Sequence, residues 1–230
     1  MRITQMEPQR RRPDRYNLYL NGAFAFAVDG ALAAAEGLAV DMELTPPEVE
    51  RLQGLNAERG LFDAAVRFLM PRPRSRAEVR RRLLTPRPNK SVTSPEAVER
   101  VLDRLEELEL LDDRDFAEFW VESRERFSPR AARALSQELR QRGVARETVE
   151  AVSEPERDEE RALEAGRQRL RALVGLDFQT FRARLGQFLL RRGFSYGVAR
   201  TAVRALWEQT GGLAADDDDS AGRDEADMGE

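Results

Sequence analysis

Arginine is the residue type whose spacing in this sequence points most directly to chemistry. The stretch between Pro71 and Leu83 contains six of them: Arg72, Arg74, Arg76, Arg80, Arg81 and Arg82. A guanidinium is a planar fork of N–H donors that suits carboxylates and phosphates, so this block predicts a surface for an anionic partner. Because only Glu78 lies inside the block, we expect its charge not to be neutralised locally. The alternative interpretation is a solvated helix face.

Two further basic pairs are weaker candidates for the same kind of contact: Arg140, Arg142, Arg191 and Arg192. Gly143 and Gly193 follow these pairs directly, and glycine in a left-handed conformation commonly ends a helix. A cation there stabilises the carbonyl end of the helix. The alternative interpretation of the two pairs is therefore a structural one.

The sequence contains no cysteine and no histidine. Disulfides, thiolate nucleophiles and cysteine-ligated zinc are thereby excluded, and the commonest general base near neutral pH is missing. We find no convergent acid–base set, so an enzyme is the weaker interpretation of this chain. The pair Asp112-Asp113 is interpreted as a helix N-cap, with a metal site as the weaker alternative.

The net charge of −4 is unevenly distributed along the chain. Eight acidic residues and one arginine follow Gly211, a net −7, which leaves +3 for residues 1–210. We expect residues 211–230 to form an acidic disordered tail. The absence of cysteine suits a reducing compartment, and we see no secretory signal and no apolar run long enough for a membrane span.

The N-terminal region has the only β pattern. Two runs of alternating apolar residues flank Asn21-Gly22, and this pair strongly predicts a two-residue hairpin turn. Ile3 and Met6 are candidates for a short third strand. We therefore expect a hairpin region before the helices begin.

Helical periodicity dominates the rest of the chain. We expect a short helix over 30–38 and a helix capped by Thr45, with Glu48 completing a capping box. A further helix is capped by Ser94 and carries an apolar stripe at Val98, Val101, Leu102, Leu105 and Leu108. The next helix has an aromatic stripe at Phe116, Phe119, Trp120 and Phe127, which predicts core packing rather than base stacking. Trp207 remains open between core and surface.

A repeat of about 50 residues organises the helical part. Residues 135–144 and 185–194 both read leucine, small residue, glutamine, any residue, leucine, two residues, arginine, glycine and an apolar residue, and a fainter copy places Val79 and Leu83 at the leucine positions. We predict three tandem three-helix repeats in an elongated curved array. The expected boundaries are 1–56 for the β-hairpin and short helices, 57–110, 111–153 and 155–208 for the three units, and 211–230 for the tail.

Three segments together resemble the RecX family. They are PRSRAEVRRRL at 73–83, VLDRLEELELLDDRDFAEFWVESR at 101–124 and FLLRRGFSY at 188–196. The resemblance covers about residues 1–208. One departure is that the first unit lacks the glycine and has a longer loop over 85–94.

The resemblance implies a non-enzymatic protein that binds the recombinase RecA, free or as a filament on single-stranded DNA. Such proteins insert along the filament groove and suppress ATP hydrolysis and strand exchange, in DNA repair and the SOS response. It implies a cytoplasmic protein that needs no cofactor. We also predict a monomer without membrane contact, and weak direct DNA binding as a secondary property. The alternatives are a helical DNA-binding protein and a repeat adaptor for another protein. The sequence pI of about 5.3 speaks against the former.

Overall fold

A computed structural model gives the structure of residues 1–86 and 93–210. Within these ranges the protein is mainly helical, with ten α-helices and one three-stranded sheet. This confirms the predicted mainly α fold with an N-terminal hairpin region. The chain divides into two compact units, Met1–Asp112 and Asp113–Glu230. The predicted acidic tail and most of the loop over 85–94 lie outside the described residues.

The N-terminal sheet consists of β1 (Ile3–Gln9), β2 (Arg12–Leu20) and β3 (Ala23–Asp29), antiparallel in the order β1-β2-β3. Asn21 and Gly22 have φ angles of 51° and 85°, which is the left-handed conformation that a two-residue hairpin turn requires. The predicted hairpin is therefore confirmed, and the third strand that was expected near Ile3 is β1.

The helices of the first unit are α1 (Gly30–Ala35), α2 (Pro46–Leu69), α3 (Arg76–Leu84) and α4 (Pro95–Glu107). Those of the second unit are α5 (Asp113–Phe127), α6 (Ala132–Gln141), α7 (Arg146–Val152), α8 (Asp158–Arg167), α9 (Phe178–Arg191) and α10 (Tyr196–Gln209). Two single 3₁₀ turns, Pro155–Arg157 and Leu170–Ala172, flank α8.

Two apolar clusters hold the first unit together. Ile3, Leu18 and Leu20 of the sheet pack with Val49 and Leu52 of α2. The second cluster joins α2, α3 and α4 through buried side chains: Ala65, Val79, Leu83, Val98, Val101, Leu102, Leu105 and Leu111. Burying this apolar surface is what favours the packed helices over the extended chain.

Helix α2 begins with the predicted capping box. The backbone N–H of Thr45 donates to the Glu48 carboxylate over 2.7 Å, which satisfies a donor that precedes the first helical turn. The helix then continues without a break to Leu69. The division that the sequence suggested between residues 56 and 57 therefore falls inside a helix.

Four residues of the predicted apolar stripe of α4 are buried, but Leu108 is 51% exposed. Its expected burial was wrong because α4 ends at Glu107, and Leu108 is the cap residue. Phe127, which is 70% exposed, was also wrongly placed in the core. It is the last residue of α5 and lies outside the apolar cluster that α5 forms with α6 and α7.

The predicted repeat is visible in the second unit. Leu135, Leu139 and Val144 are buried in the cluster formed by α5, α6 and α7. The matching residues Leu185, Leu189 and Phe194 are buried in the cluster of α8, α9 and α10. The glycines that end α6 and α9 have φ angles of 82° and 95°, as expected for a helix stop.

Each of the two tryptophans packs against one of these clusters. Trp120 is half-buried against the α5–α7 cluster, with its ring centroid 6.0 Å from that of Phe116. Trp207 lies 5.3 Å from Phe178 and 5.1 Å from Phe181, centroid to centroid. Both therefore belong to the edge of the core, which resolves the question that the sequence left open for Trp207.

Candidate partner-binding arginine surfaces

Two arginines of the block, Arg76 and Arg80 on α3, are neutralised by the neighbouring helix α4. Arg76 donates to Asp103 at 2.7 Å, to Glu99 at 2.9 Å and to Glu106 at 2.6 Å, and Arg80 donates to Glu99 at 2.5 Å. The expectation that the charge of the block is not neutralised locally was therefore wrong for these two arginines. Its carboxylates come from α4, which lies 19 or more residues further along the chain but packs directly on α3.

The N-terminal part of the block is also engaged within the fold. Glu78 is only 7% exposed, and its carboxylate lies 3.5 Å from Arg72 and 4.0 Å from Arg74. The Arg74 guanidinium also lies over the Phe68 ring, 3.9 Å from its centroid, where a cation is attracted by the π face. These two arginines anchor the loop between α2 and α3.

Arg81 and Arg82 remain as the outward-facing charges of the block. Both side chains are exposed. The Arg82 guanidinium is 5.8 Å from the Phe68 centroid, and neither arginine has an acidic partner within residues 1–86 and 93–210. Of the six candidates, these two best keep the ability to bind an anion.

Arg142 and Arg192 have structural roles at equivalent places in the repeat. Arg142 caps α6 and lies over Trp120, 3.8 Å from the ring centroid. Arg192 caps α9, lies 4.6 Å from the Phe188 ring centroid and donates to Ser128 Oγ and to the Pro129 carbonyl oxygen, each at 3.0 Å. Burial lowers the pKa of Arg192, as do the nearby cations of Arg130, Arg124 and Arg169.

The other two candidates, Arg140 and Arg191, meet across a cleft in the second unit. The cleft has a volume of about 680 Å³ and lies between α6 and the end of α9. Arg130 and Arg133 also line it, and neither was among the residues predicted from the sequence. Arg130 lies just before α6 and Arg133 in its first turn. This spacing of three residues places both on one side of the helix start and could have identified them from the sequence. We call this group, with Arg140 and Arg191, the arginine cleft.

A close approach of backbone segments builds the cleft. The backbone N–H of Ala131 donates to the Arg192 carbonyl oxygen at 3.2 Å, and Arg133 Nε donates to the Gly193 carbonyl oxygen. A Cβ on Gly193 would lie 2.8 Å from the Cβ of Ala134. Only glycine fits here, since that distance is shorter than any normal carbon–carbon contact.

Glu138 is the one acidic side chain that lines the arginine cleft, and it is already engaged. It accepts from Trp120 Nε1 and from Arg124, both at 2.8 Å, and it pairs with Arg130 at 3.0 Å. Arg140 and Arg191 are exposed and have no carboxylate partner among the described residues. Because concave walls focus the field of such charges, the cleft suits a phosphate or a carboxylate.

Among the described residues no group of three or more acidic side chains is arranged to hold a metal ion. The pair Asp112-Asp113 lies at the start of α5, whose first residue is Asp113. In the same part of the chain no helix has the length and apolar character needed to cross a bilayer.

Three family models match the chain. They are described as "Regulatory protein RecX N-terminal domain" over residues 1–45, "RecX, second three-helix domain" over 112–152 and "RecX, third three-helix domain" over 156–203. The matched segments correspond to the N-terminal sheet region, to α5–α7 and to α8–α10.

Curated relatives with the name "Regulatory protein RecX" are similar over most of their length. The protein of Thermobifida fusca is 40% identical over 149 residues, which cover 64% of this chain and 78% of the relative. That of Streptomyces coelicolor is 39% identical over 149 residues, 64% and 77% of the two chains. That of Listeria welshimeri is 26% identical over 205 residues, 88% and 74%.

Two solved structures share the fold. A crystal structure of regulatory protein RecX superposes with a TM-score of 0.63 at 22% identity, covering 91% of this chain and 98% of the other. The structure of RecX from Lactobacillus salivarius gives a TM-score of 0.54 at 19% identity, with 66% and 97% covered. From the three family models and the relatives near 40% identity, we conclude that this chain belongs to the RecX family of regulatory proteins.

Proposed function

We propose that this protein is a non-enzymatic regulator that binds RecA recombinase, free or as a filament on single-stranded DNA, and inhibits its ATPase and recombinase activity. Membership of the RecX family carries this proposal, because the relatives are named as regulatory proteins. In this proposal the protein acts as a monomer in the cytoplasm, needs no cofactor, and takes part in homologous recombination and DNA repair.

The contacts of the ten predicted arginines support two different roles for them. Six have partners inside the fold and are proposed as scaffold: Arg72, Arg74, Arg76, Arg80, Arg142 and Arg192. Four are exposed without an acidic partner among the described residues: Arg81, Arg82, Arg140 and Arg191. We assign partner contact to these four, since a guanidinium that already binds a carboxylate has less to gain from a second anion.

The arginine cleft is the proposed centre of this contact. Arg140 and Arg191 approach from different helices, and the chain segments that carry them are held together by the hydrogen bond between Ala131 and Arg192. Such positioning before binding reduces the entropy lost when the complex forms. A filament of protein on single-stranded DNA offers both acidic side chains and phosphates as ligands.

The test is ATP hydrolysis by the cognate RecA on single-stranded DNA, titrated with this protein. We expect inhibition well below one molecule per RecA. The double variant Arg140→Glu, Arg191→Glu should need at least ten times more protein for half-inhibition, which corresponds to about 1.4 kcal/mol. The double variant Arg81→Glu, Arg82→Glu should show a smaller loss, because its charges do not line a concave site.

The matched control is Arg146→Glu, Arg204→Glu, which changes the net charge equally. These exposed arginines pair with Glu150 and Glu208 one turn away, and the control should inhibit as the wild type does. Equal losses in the control and in the cleft variant would refute the assigned surface. No inhibition by saturating wild-type protein would refute the proposed function.

Direct action on nucleic acid is the second candidate function, and the arginine cleft is the observation that favours it, because phosphates would bind there as readily as carboxylates. The two candidates differ in whether RecA is needed. Tight binding of the wild type to naked DNA, together with an unchanged RecA ATPase, would select this alternative.

A further inference from the structure

The tip of the β1–β2 ribbon carries three consecutive arginines that the proposed function does not use. Gln9 pairs with Arg12 in the sheet, which leaves Arg10 and Arg11 as the two turn residues. All three arginine side chains are exposed. Within residues 1–86 and 93–210, none of them has an ion pair or a side-chain hydrogen bond. We call these three residues the ribbon tip.

The ribbon tip extends beyond the rest of the sheet. The pairing of β2 with β3 stops at Arg15, which lies opposite Asp29. Arg15 also donates to the Ala27 carbonyl oxygen at 3.1 Å, so this arginine belongs to the sheet itself. Strand β3 therefore does not extend alongside residues 10–14, and their exposed side chains are accessible to a large ligand.

The backbone at the ribbon tip is restrained before any ligand binds. Pro8 and Pro13 flank the turn, and the pyrrolidine ring fixes φ at both positions. The side chain of Gln9 donates to Asn17 Oδ1 at 2.8 Å and links the two strands directly behind the tip. Little chain entropy is then lost when the three guanidinium groups contact a ligand.

The charges around the ribbon tip favour an anion with several negative groups. Glu7, the acidic residue of β1, is engaged on the side away from the tip, with Gln5 at 2.6 Å and with the Tyr19 hydroxyl at 3.3 Å. Asp14 is the one other carboxylate within the ribbon. Three adjacent cations repel one another, and a polyanion removes that repulsion.

We propose that the ribbon tip binds the phosphate backbone of DNA, independently of RecA. A guanidinium binds phosphate through two parallel hydrogen bonds, and a two-stranded β-ribbon fits the major groove of a duplex. The contacts are to phosphates, so the binding is independent of base sequence. The proposal does not rest on the proposed action on RecA and can fail separately from it.

The experiment measures fluorescence anisotropy of a labelled 20-nucleotide single strand and of the matching duplex. The intact chain is compared with the variant Arg10→Gln, Arg11→Gln, Arg12→Gln between 50 and 200 mM salt. The slope of log affinity against log salt is negative, and it should become shallower by about 2 for the single strand and by about 2.7 for the duplex if three phosphate contacts are lost. If the salt dependence becomes shallower for only one of the two DNAs, that DNA is the form that the tip binds.

The control variant is Arg114→Gln, Arg146→Gln, Arg204→Gln, which removes the same charge from arginines paired one turn away. It should leave both slopes unchanged. Equal slopes for the tip variant and the wild type, with unchanged thermal unfolding, would overturn the proposal. A second outcome would also overturn it: the wild type binds polyglutamate as tightly as DNA, and the tip variant loses that binding. The ligand of the tip would then be an acidic protein surface.

Discussion

The guanidinium of Arg161 lies 2.8 Å from the carboxylate of Glu125, and only 2% of the Arg161 surface is exposed. Arg161 belongs to α8 and Glu125 to α5, so this buried ion pair joins the second three-helix domain to the third. Arg161 also donates to the Glu154 carbonyl oxygen at 2.7 Å. The contact holds together the two domains whose other helices, α6 and α9, form the arginine cleft.

Removal of Arg161 should strongly destabilise the second unit. The change Arg161→Ala removes a buried guanidinium that bridges Glu125 and the Glu154 carbonyl oxygen, whereas Glu125 keeps Arg157 at 3.0 Å. We expect a loss of about 1.5–3 kcal/mol, the range for hydrogen bonds to charged groups. Urea unfolding followed by tryptophan fluorescence measures this, because Trp120 and Trp207 are the only two tryptophans and both lie in this unit.

The control for Arg161→Ala is Arg146→Ala, which breaks the exposed pair between Arg146 and Glu150. Arg146→Ala should change the stability little, because water screens an exposed pair of this spacing. Similar losses of unfolding free energy in the two variants would show that the buried pair stabilises the unit no more than an exposed one.

A side chain at Gly193 should be more costly than one at Gly175. Both glycines have positive φ, 95° and 77°, so either alanine is strained by about 1–2 kcal/mol. Only at Gly193 would the added Cβ also meet a neighbour, Ala134, and crowding of this kind costs a further 1–3 kcal/mol or so. Urea midpoints of Gly193→Ala and Gly175→Ala test the difference, and equal midpoints would contradict it.

The ion pairs of Glu99 should make stability depend on pH in the acid range. Hydrogen bonds from Arg80 and then Arg76 hold the pKa of Glu99 below its ordinary value of 4.5. Because the folded state has the lower pKa, the carboxylate stabilises the fold above pH 4.5, and this contribution is lost as the pH falls through the folded-state pKa. Glu99→Gln should therefore lower the Tm at pH 7, and this effect should shrink as the pH falls below 4.5.

Thermal unfolding of the wild type and Glu99→Gln at several pH values measures this trend. Glu50→Gln is the control, because Glu50 is exposed on α2 and has no ion pair within the described residues. A Tm difference between wild type and Glu99→Gln that persists unchanged at pH 3 would rule out the ionised carboxylate as its cause.

The acidic segment 211–230 should weaken binding to anionic partners. It carries eight acidic residues and one arginine, and such a segment competes with phosphates for exposed arginines. A chain truncated after Gly211 should bind RecA filaments or DNA more tightly at low salt, with the difference closing as salt screens the charges. Affinities that are the same for both chains at every salt concentration would exclude this masking.

Local patterns predicted the elements of this protein well. The Asn21-Gly22 turn, the Ser94 cap of α4 and the glycine stops at Gly143 and Gly193 all depend on backbone geometry within a few residues. The apolar periodicity of α4 also identified its buried face up to Leu105. It failed at Leu108, since periodicity does not show where a helix ends.

The arrangement of charge was decided by the tertiary structure alone. The sequence showed a dense run of arginines on α3 but could not show that α4 would bring Glu99, Asp103 and Glu106 against Arg76. It likewise placed Arg140 and Arg191 in separate repeats and could not show that they share a cleft.

The physical reason is the range of the interactions involved. Sequence periodicity follows from the geometry of one helix, so it tells which face is apolar, and the RecX motifs add which family of helices this is. The ion pairs of Arg76 and Arg80 with α4 join residues 19 to 30 positions apart, and Arg140 and Arg191 of the cleft are 51 positions apart. Both contacts depend on which helix faces meet. The sequence by itself determined the helices and their buried faces, and only packing decided which arginines remain free to bind.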